Sequence, residues 1–302
     1  MSTPSNPNPN PEQPSTYFVQ DRASIAEMER LLVQDRLSTA TMGGVLPEQP
    51  DPGRFRQVLD VGCGTGGWLI ELAKTYPGIS RLVGVDISHT MIAYARTQAD
   101  VDQVGDRVEF HVMDALRMLE FPARSFDLVN HRFGISWLRT WDWPKLLQEY
   151  QRVARSEGVV RITEAMLVES SSQALMRLDQ LSIQALFQAG HLFANSRDGL
   201  TGELSRLLSQ HGLRNVQTRA CDVVYDVGTA QGRRFIEDMT SLYRVIQPFL
   251  QKWIRLPDDY DEIYQQARQD MQQPDFIASG SVLTAWGNVP STGGRLESDQ
   301  PR

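Results

Sequence analysis

Cysteine is nearly absent from this sequence. Its 302 residues include two, Cys63 and Cys221, which by themselves build neither a disulfide framework nor a zinc site. Both are expected to be reduced, as in a cytosol. Basic runs are missing too. Nowhere do five Lys or Arg follow one another, and the formal net charge is −7. A surface of that sign repels phosphate backbones, so nucleic acid is not expected as a partner. No apolar stretch reaches the roughly 18 residues of a membrane helix. The opening MSTPSNPNPNPEQP lacks the charged and apolar regions of a secretory signal. A cytoplasmic protein without a membrane span is the expectation, with room for an oligomer. What is present is ordinary globular composition: 41% hydrophobic and 22% charged residues are enough for one large domain.

Residues 1–16 are rich in Pro, Asn and Ser and read as a disordered tail, as does 289–302. Between them, 17–288 reads as one domain. A first helix is expected over 22–38, with Ser24 and Glu27 as a capping box and Ile25, Met28, Leu31 and Leu32 on its apolar face. Alternating units follow. The strands RQVLDV, RLVGVD, RVEFHVMD, SFDLVNHR and GVVRITEA are separated by the helices GWLIELAKTY, SHTMIAYARTQA and WPKLLQEYQRVA and by one short irregular segment. Short apolar strands alternating with helices predict an α/β fold: a Rossmann-like, mostly parallel sheet with helices on both faces. Ligands then bind at the edge formed by the strands' C-terminal ends. After residue 168 the rhythm changes. Two late strands, LRNVQTRACDVVYDVG and IASGSVLTAWG, predict seven strands in all with an antiparallel last one. Helices at about 170–195 and 230–273 form an inserted cap, with Pro248 and Pro257 as breaks.

The chemistry concentrates at VLDVGCGTGGW, residues 58–68. Gly62, Gly64 and Gly67 satisfy the dinucleotide pattern G-x-G-x-x-G. Counted from Asp60, Gly62, Gly64 and Gly66 satisfy D-x-G-x-G-x-G instead. Glycine lets the backbone turn tightly and approach a ligand closely, and the following helix offers free N–H groups. Either adenosine cofactor is served by that. Asp86 closes the second strand, where an acid accepts both ribose hydroxyls. Asp114 closes the third, where the acid or the Ala115 backbone can lie beside an adenine. Ile87 and Met91 would sandwich that ring. A nicotinamide enzyme needs no third acid. Nor does any Tyr-x-x-x-Lys pair occur, since Tyr76, Tyr94 and Tyr150 are not followed by Lys at that spacing.

The segments VLDVGCGTGGW, LVGVDIS, VEFHVMDAL and FDLVNHR, in this order and spacing, resemble the class I S-adenosylmethionine-dependent methyltransferases. The likeness points to the small-molecule group that includes quinone-pathway and natural-product enzymes. VARSEGVVRITE stands where that family shows a K-P-G-G turn, here replaced by R-S-E-G. The resemblance implies S-adenosylmethionine as cofactor, S-adenosylhomocysteine as product and a small organic methyl acceptor. Asp60 tolerates the ammonium and sulfonium of the methionine moiety but would repel a pyrophosphate. Asn130 would lie near the sulfonium. Arg132 either reaches the methionine carboxylate, supports the helix packing or pairs with a neighbouring acid. Tyr17, with Phe18 beside it, would fold over the cofactor. Cys63 is a small spacer in the cofactor turn and not a nucleophile. His131 is the candidate base, because a neutral imidazole can take a proton near pH 7; the alternative is a histidine packed beside the loop or capping a carbonyl. One of Trp137, Trp141 and Trp143 is expected in the substrate pocket, foremost Trp137, with His191 and Phe193 near its mouth. Two other readings stand beside this one: an NAD-dependent oxidoreductase, and a protein that binds S-adenosylmethionine for chemistry other than methyl transfer. No metal is implied.

Overall fold

The computed structural model describes residue 17, residues 25–166 and residues 168–291. The tail over 1–16, most of the tail over 289–302, Phe18 and the capping residue Ser24 lie outside the described residues. Val289 is described, and it is tied to the sheet by its N–H, which donates to the Gly158 carbonyl at 2.8 Å.

The chain begins with helix α1 (Ile25–Met42) and then alternates: β1 (Gln57–Val61), α2 (Gly67–Thr75), β2 (Arg81–Asp86), α3 (His89–Val101), β3 (Val108–Val112), β4 (Phe126–Arg132), α4 (Trp143–Val153) and β5 (Ala154–Ala165). Next come the two-residue β6 (Glu169–Ser170), α5 (Gln173–Gln188), α6 (Leu204–Gln210) and β7 (Arg214–Asp226). The chain closes with α7 (Ala230–Val245), α8 (Gln247–Trp253), α9 (Tyr260–Asp270) and β8 (Ile277–Asn288). Helix starts carry their own caps. Ser88 accepts from the Met91 N–H at 3.3 Å, and Ser172 from the Leu175 N–H at 3.0 Å. Pro248, in the first turn of α8, forms the expected break.

The sheet order is β3-β2-β1-β4-β5-β8, with β6 continuing along β8 beyond β5 and β7 on the other side of β8. β1 to β5 pair in parallel, and β8 runs antiparallel to both β5 and β7. Among the described residues, seven long strands and the antiparallel last strand match the sequence expectation. The added eighth, β6, has two residues. Alternating side chains send the strands' apolar residues to two layers. Val58, Leu82 and Leu128 pack with Trp68, Leu69, Ile92 and Ala95 of α2 and α3. Leu59, Val83 and Val129 pack with Trp143, Leu146 and Tyr150 of α4. Strands buried on both faces read as continuous apolar runs, which is why β1 and β2 stand out in the sequence.

Two local expectations change. The side chain of Ile25 lies outside the described residues, and Met28, Leu31 and Leu32 are only half-buried. Glu27, Arg30, Leu37 and Ser38 are buried, because charged groups there pair with one another. The R-S-E-G segment is also not a turn before a strand. It lies within β5 as a bulge, with Glu157 at φ 63° and a register shift opposite Phe126 and Leu128.

Candidate active site

β1 ends where the chain must reverse into α2, and three alternate glycines do this: Gly62, Gly64 and Gly66 have φ of 71°, 52° and 77°. Gly66 is the residue before α2 and sits left-handed. A Cβ there would come within 2.6 Å of Phe110. Gly67 belongs to the helix and is not among the positive-φ glycines. The backbone therefore selects the D-x-G-x-G-x-G spacing over G-x-G-x-x-G. Across the turn lies Trp137, whose indole would be 3.3 Å from a Cβ at Gly62. Only glycine leaves that slot open.

Asp86, ending β2, accepts from the Gly64 N–H at 3.0 Å and the Ser88 N–H at 2.8 Å. Its carboxylate thus fixes the glycine turn to the start of α3. A carboxylate accepts about four hydrogen bonds, so this clamp is compatible with a ribose diol. After β3, Asp114 accepts from the Leu116 N–H at 2.9 Å, which aligns the loop carrying Ala115. Ile87, Met91, Met113 and Leu116 supply apolar surface between these two acids.

Asp60 of β1, Asn130 of β4 and Arg161 of β5 are register neighbours on adjacent strands. Asn130 Nδ2 donates to Asp60 at 2.7 Å, Arg161 donates to Asn130 Oδ1 at 2.7 Å, and Arg161 Nε donates to Glu48 at 2.8 Å. Burial raises the Asp60 carboxyl to about 6 against the pull of Arg132. Arg132, ending β4, pairs with Asp35 of α1 through one terminal nitrogen. Its Nε and its other terminal nitrogen are buried with no hydrogen-bond partner among the described residues.

These elements open on one cavity of about 510 Å³. Tyr17, Asp60, Gly62, Cys63, Gly64, Asp86, Ile87, Met91, Asp114, Ala115, Arg132 and Trp137 all line it. Burial, with the neighbouring Asp86 and Asp60, pushes the Cys63 thiol well up, so it stays a thiol. Six aspartates and two arginines contribute to the lining, an acidic balance that favours a cation over a pyrophosphate.

Four expected residues are elsewhere. Asn130 is fully buried and reaches the cavity only through Asp60. His131 follows it, so its side chain points to the opposite face of β4. There it lies between Trp137 and Trp143, with ring centroids 5.3 and 5.7 Å away, and Nδ1 is 2.6 Å from the Tyr150 hydroxyl. Fully buried, it has its pKa lowered by burial to about 3. His131 is a core residue with no access to an acceptor in the cavity. His191 is likewise buried, edge-on to Phe249 at 5.9 Å, with burial holding its pKa at about 4. Phe193 packs on the main core. Of the three tryptophans, Trp137 lines the cavity, Trp143 is core and Trp141 is 63% exposed.

The far wall comes from residues that sequence reasoning passed over. From α1, Arg30 donates to Glu27 at 2.8 and 2.7 Å and to Asp238 of α7 at 3.1 Å, and the Tyr17 hydroxyl donates to Glu27 at 2.5 Å. This network joins the N-terminal segment to the cap. From α5, Asp179 is 1% exposed and accepts from the Tyr243 hydroxyl of α7. Burial raises its pKa to about 7, with the Tyr243 hydrogen bond and Arg197 opposing. A signal existed: Leu175, Leu178, Asp179, Ser182 and Leu186 form one helical stripe, so two polar residues stand at core positions.

Residues 58–158, from β1 to the bulge of β5, match the family described as methyltransferase domain. The chain is 38% identical over 98 residues to a demethylmenaquinone methyltransferase of Lactiplantibacillus plantarum, covering 32% of this chain and 40% of that one. It is 35% identical over 116 residues to ajmaline N-methyltransferase of Rauvolfia serpentina, covering 38% of each. The chain spans between 38% and 60% of the length of the first curated relatives it matches. Among solved structures, phosphoethanolamine N-methyltransferase 2 of Haemonchus contortus shares the fold at 17% identity and a TM-score of 0.52, over 91% of this chain and 60% of that one. Among the described residues, no helix is long and apolar enough to cross a membrane.

Proposed function

We propose that the chain, whose residues 58–158 match the family described as methyltransferase domain, transfers a methyl group from S-adenosylmethionine to a small organic acceptor. One observation carries this reading: a single cavity joins the glycine turn, the strand-end acids Asp86 and Asp114, the unpaired donors of Arg132 and the wall from α5 and α7. The residues present fit the cofactor. Two buried guanidinium nitrogens without partners suit a carboxylate, Asp60 suits an ammonium, Asp86 suits a ribose diol, and the Ile87–Met91–Met113 surface suits an adenine. When bound, the cofactor supplies an electrophilic methyl on a sulfonium. The protein's part is to hold the acceptor in line and exclude water. Asn130 acts as a positioning residue, fixing the Asp60 carboxyl.

We assign acceptor choice to the helices over about 170–195 and 230–273, within a single domain of about 17–288. Net charge of −7 and the acid-rich lining favour a small molecule over nucleic acid. The test is thermal unfolding with each ligand in turn. At about 100 times Kd, S-adenosylhomocysteine is expected to raise the melting temperature by about 5 °C or more, and NADH to leave it unchanged. Stabilisation by NADH and not by S-adenosylhomocysteine would overturn the reading.

A further inference from the structure

The cap half of the cavity is almost wholly apolar. Val168, Leu186, Phe235, Met239, Leu242 and Ile246 face it. Two carboxyls are set into this surface: Asp238, which accepts from Arg30 at 3.1 Å, and Asp179. The Oδ1 of Asp179 is taken by the Tyr243 hydroxyl. Its Oδ2 is buried and has no hydrogen-bond partner among the described residues. A buried acceptor left unpaired costs stability. A leucine would continue the stripe of α5 at no such cost. The arrangement makes physical sense if a ligand donates the missing hydrogen bond.

We propose that Asp179 determines the acceptor class: a neutral, largely apolar molecule that presents a hydroxyl to Asp179 Oδ2. The inference rests on the methyl-transfer reading above. Two arguments narrow the donor to a hydroxyl. The acceptor shares its cavity with a sulfonium, so an ammonium would be repelled by a like charge. An ammonium would also have to be stripped of water among apolar side chains. A phenol or alcohol brings the donor without the charge. Tyr243 fixes the carboxyl's orientation, because its own hydroxyl occupies Oδ1 and is itself packed beside Ser182. The neighbouring cation, Arg197, is engaged by Glu169 at 2.6 Å and leaves Oδ2 to the ligand.

The test uses the full-length protein saturated with S-adenosylhomocysteine and three probes of one size: phenol, anisole and benzylamine. Binding is followed by calorimetry, and the carboxyl resonance of Asp179 by carbon-13 NMR at pH 8. Phenol is expected to bind at least about tenfold more tightly than either of the others and to shift the Asp179 resonance. The variant Asp179→Asn keeps the shape and can still accept from Tyr243, but it places an amide donor where Oδ2 stood. Its preference should reverse toward anisole. Equal affinities, tighter benzylamine, no detectable phenol binding, or a preference unchanged in Asp179→Asn would each overturn the proposal. Repeating the titration without S-adenosylhomocysteine separates the two readings. A missing nucleotide effect counts against methyl transfer, and a missing phenol preference counts against Asp179.

Discussion

The carboxylate of Asp86 is 3.0 Å from the backbone nitrogen of Gly64, joining the end of β2 to the turn that ends β1. The same acid holds the Ser88 N–H at 2.8 Å. Removing it therefore loosens the glycine turn and deletes the group assigned to the ribose. Hydrogen bonds to a charged group contribute about 1.5–3 kcal/mol each. Asp86→Ala is expected to weaken S-adenosylhomocysteine binding at least about 100-fold by calorimetry, with the far-ultraviolet circular dichroism of the folded protein retained. Binding within threefold of the natural protein would remove Asp86 from the cofactor site.

Gly66 and Gly67 are adjacent but not equivalent. A methyl group on Gly66 meets Phe110 at 2.6 Å and Ala95 at 2.9 Å, at a φ of 77° that L-residues avoid. On Gly67 it meets only the end of the Asp35 side chain, which can swing away. Left-handed strain of about 1–2 kcal/mol adds to an overpacking cost of about 1–3 kcal/mol at Gly66. In urea unfolding, Gly66→Ala should lose at least about 2 kcal/mol and Gly67→Ala clearly less. The reverse order would show that the dinucleotide spacing, not D-x-G-x-G-x-G, sets the turn.

His131 is held by Tyr150 and two indoles within the core. His131→Leu strands the Tyr150 hydroxyl and should cost about 1–3 kcal/mol of stability. Affinity for S-adenosylhomocysteine should stay within threefold. A large loss of affinity at unchanged stability would return His131 to the site.

The site residues differ in how plainly the sequence marks them, according to where they lie in the fold. Asp60, Gly62, Gly64, Asp86 and Asp114 are at strand ends, next to contiguous apolar runs, so strand and motif mark them together. The choice between Asn130 and His131 needed the parity of β4, whose alternation sets Val129 and His131 toward α4 and Asn130 toward Asp60. Asp179, Tyr243 and Asp238 come from helices about 60 residues apart, and only packing brings them to one wall. Periodicity shows that Asp179 and Ser182 interrupt an apolar stripe. It does not show whether that stripe meets a core or a cavity.

Two buried carboxyls make the stability of the fold depend on pH. Burial raises Asp179 to about 7 and Glu164, which accepts from the Gly134 and Ile135 N–H groups, to about 8. In the unfolded chain both return to about 4. The groups facing Asp179 are Tyr243 from α7 and Arg197 from the segment after α5, and the Glu164 neighbour is His131 at 3.9 Å. Between pH 6.5 and 8.5 the folded state therefore binds more protons than the unfolded one, and stability falls as pH rises. His131 and His191, at about 3 and 4 when folded, return to about 6.5 in the unfolded chain, so they act in the opposite sense and offset about 0.8 kcal/mol, mostly below pH 7.5. Integrating the two carboxyls less the two histidines gives a loss of about 2 kcal/mol, or about 4–8 °C in melting temperature, for the ligand-free protein. Glu164→Gln should remove the larger part of that slope and Asp179→Asn the smaller, since the group titrating at about 8 stays protonated further into the window. A melting temperature that is flat or rising from pH 6.5 to 8.5 would mean that both carboxyls are already ionised in the fold.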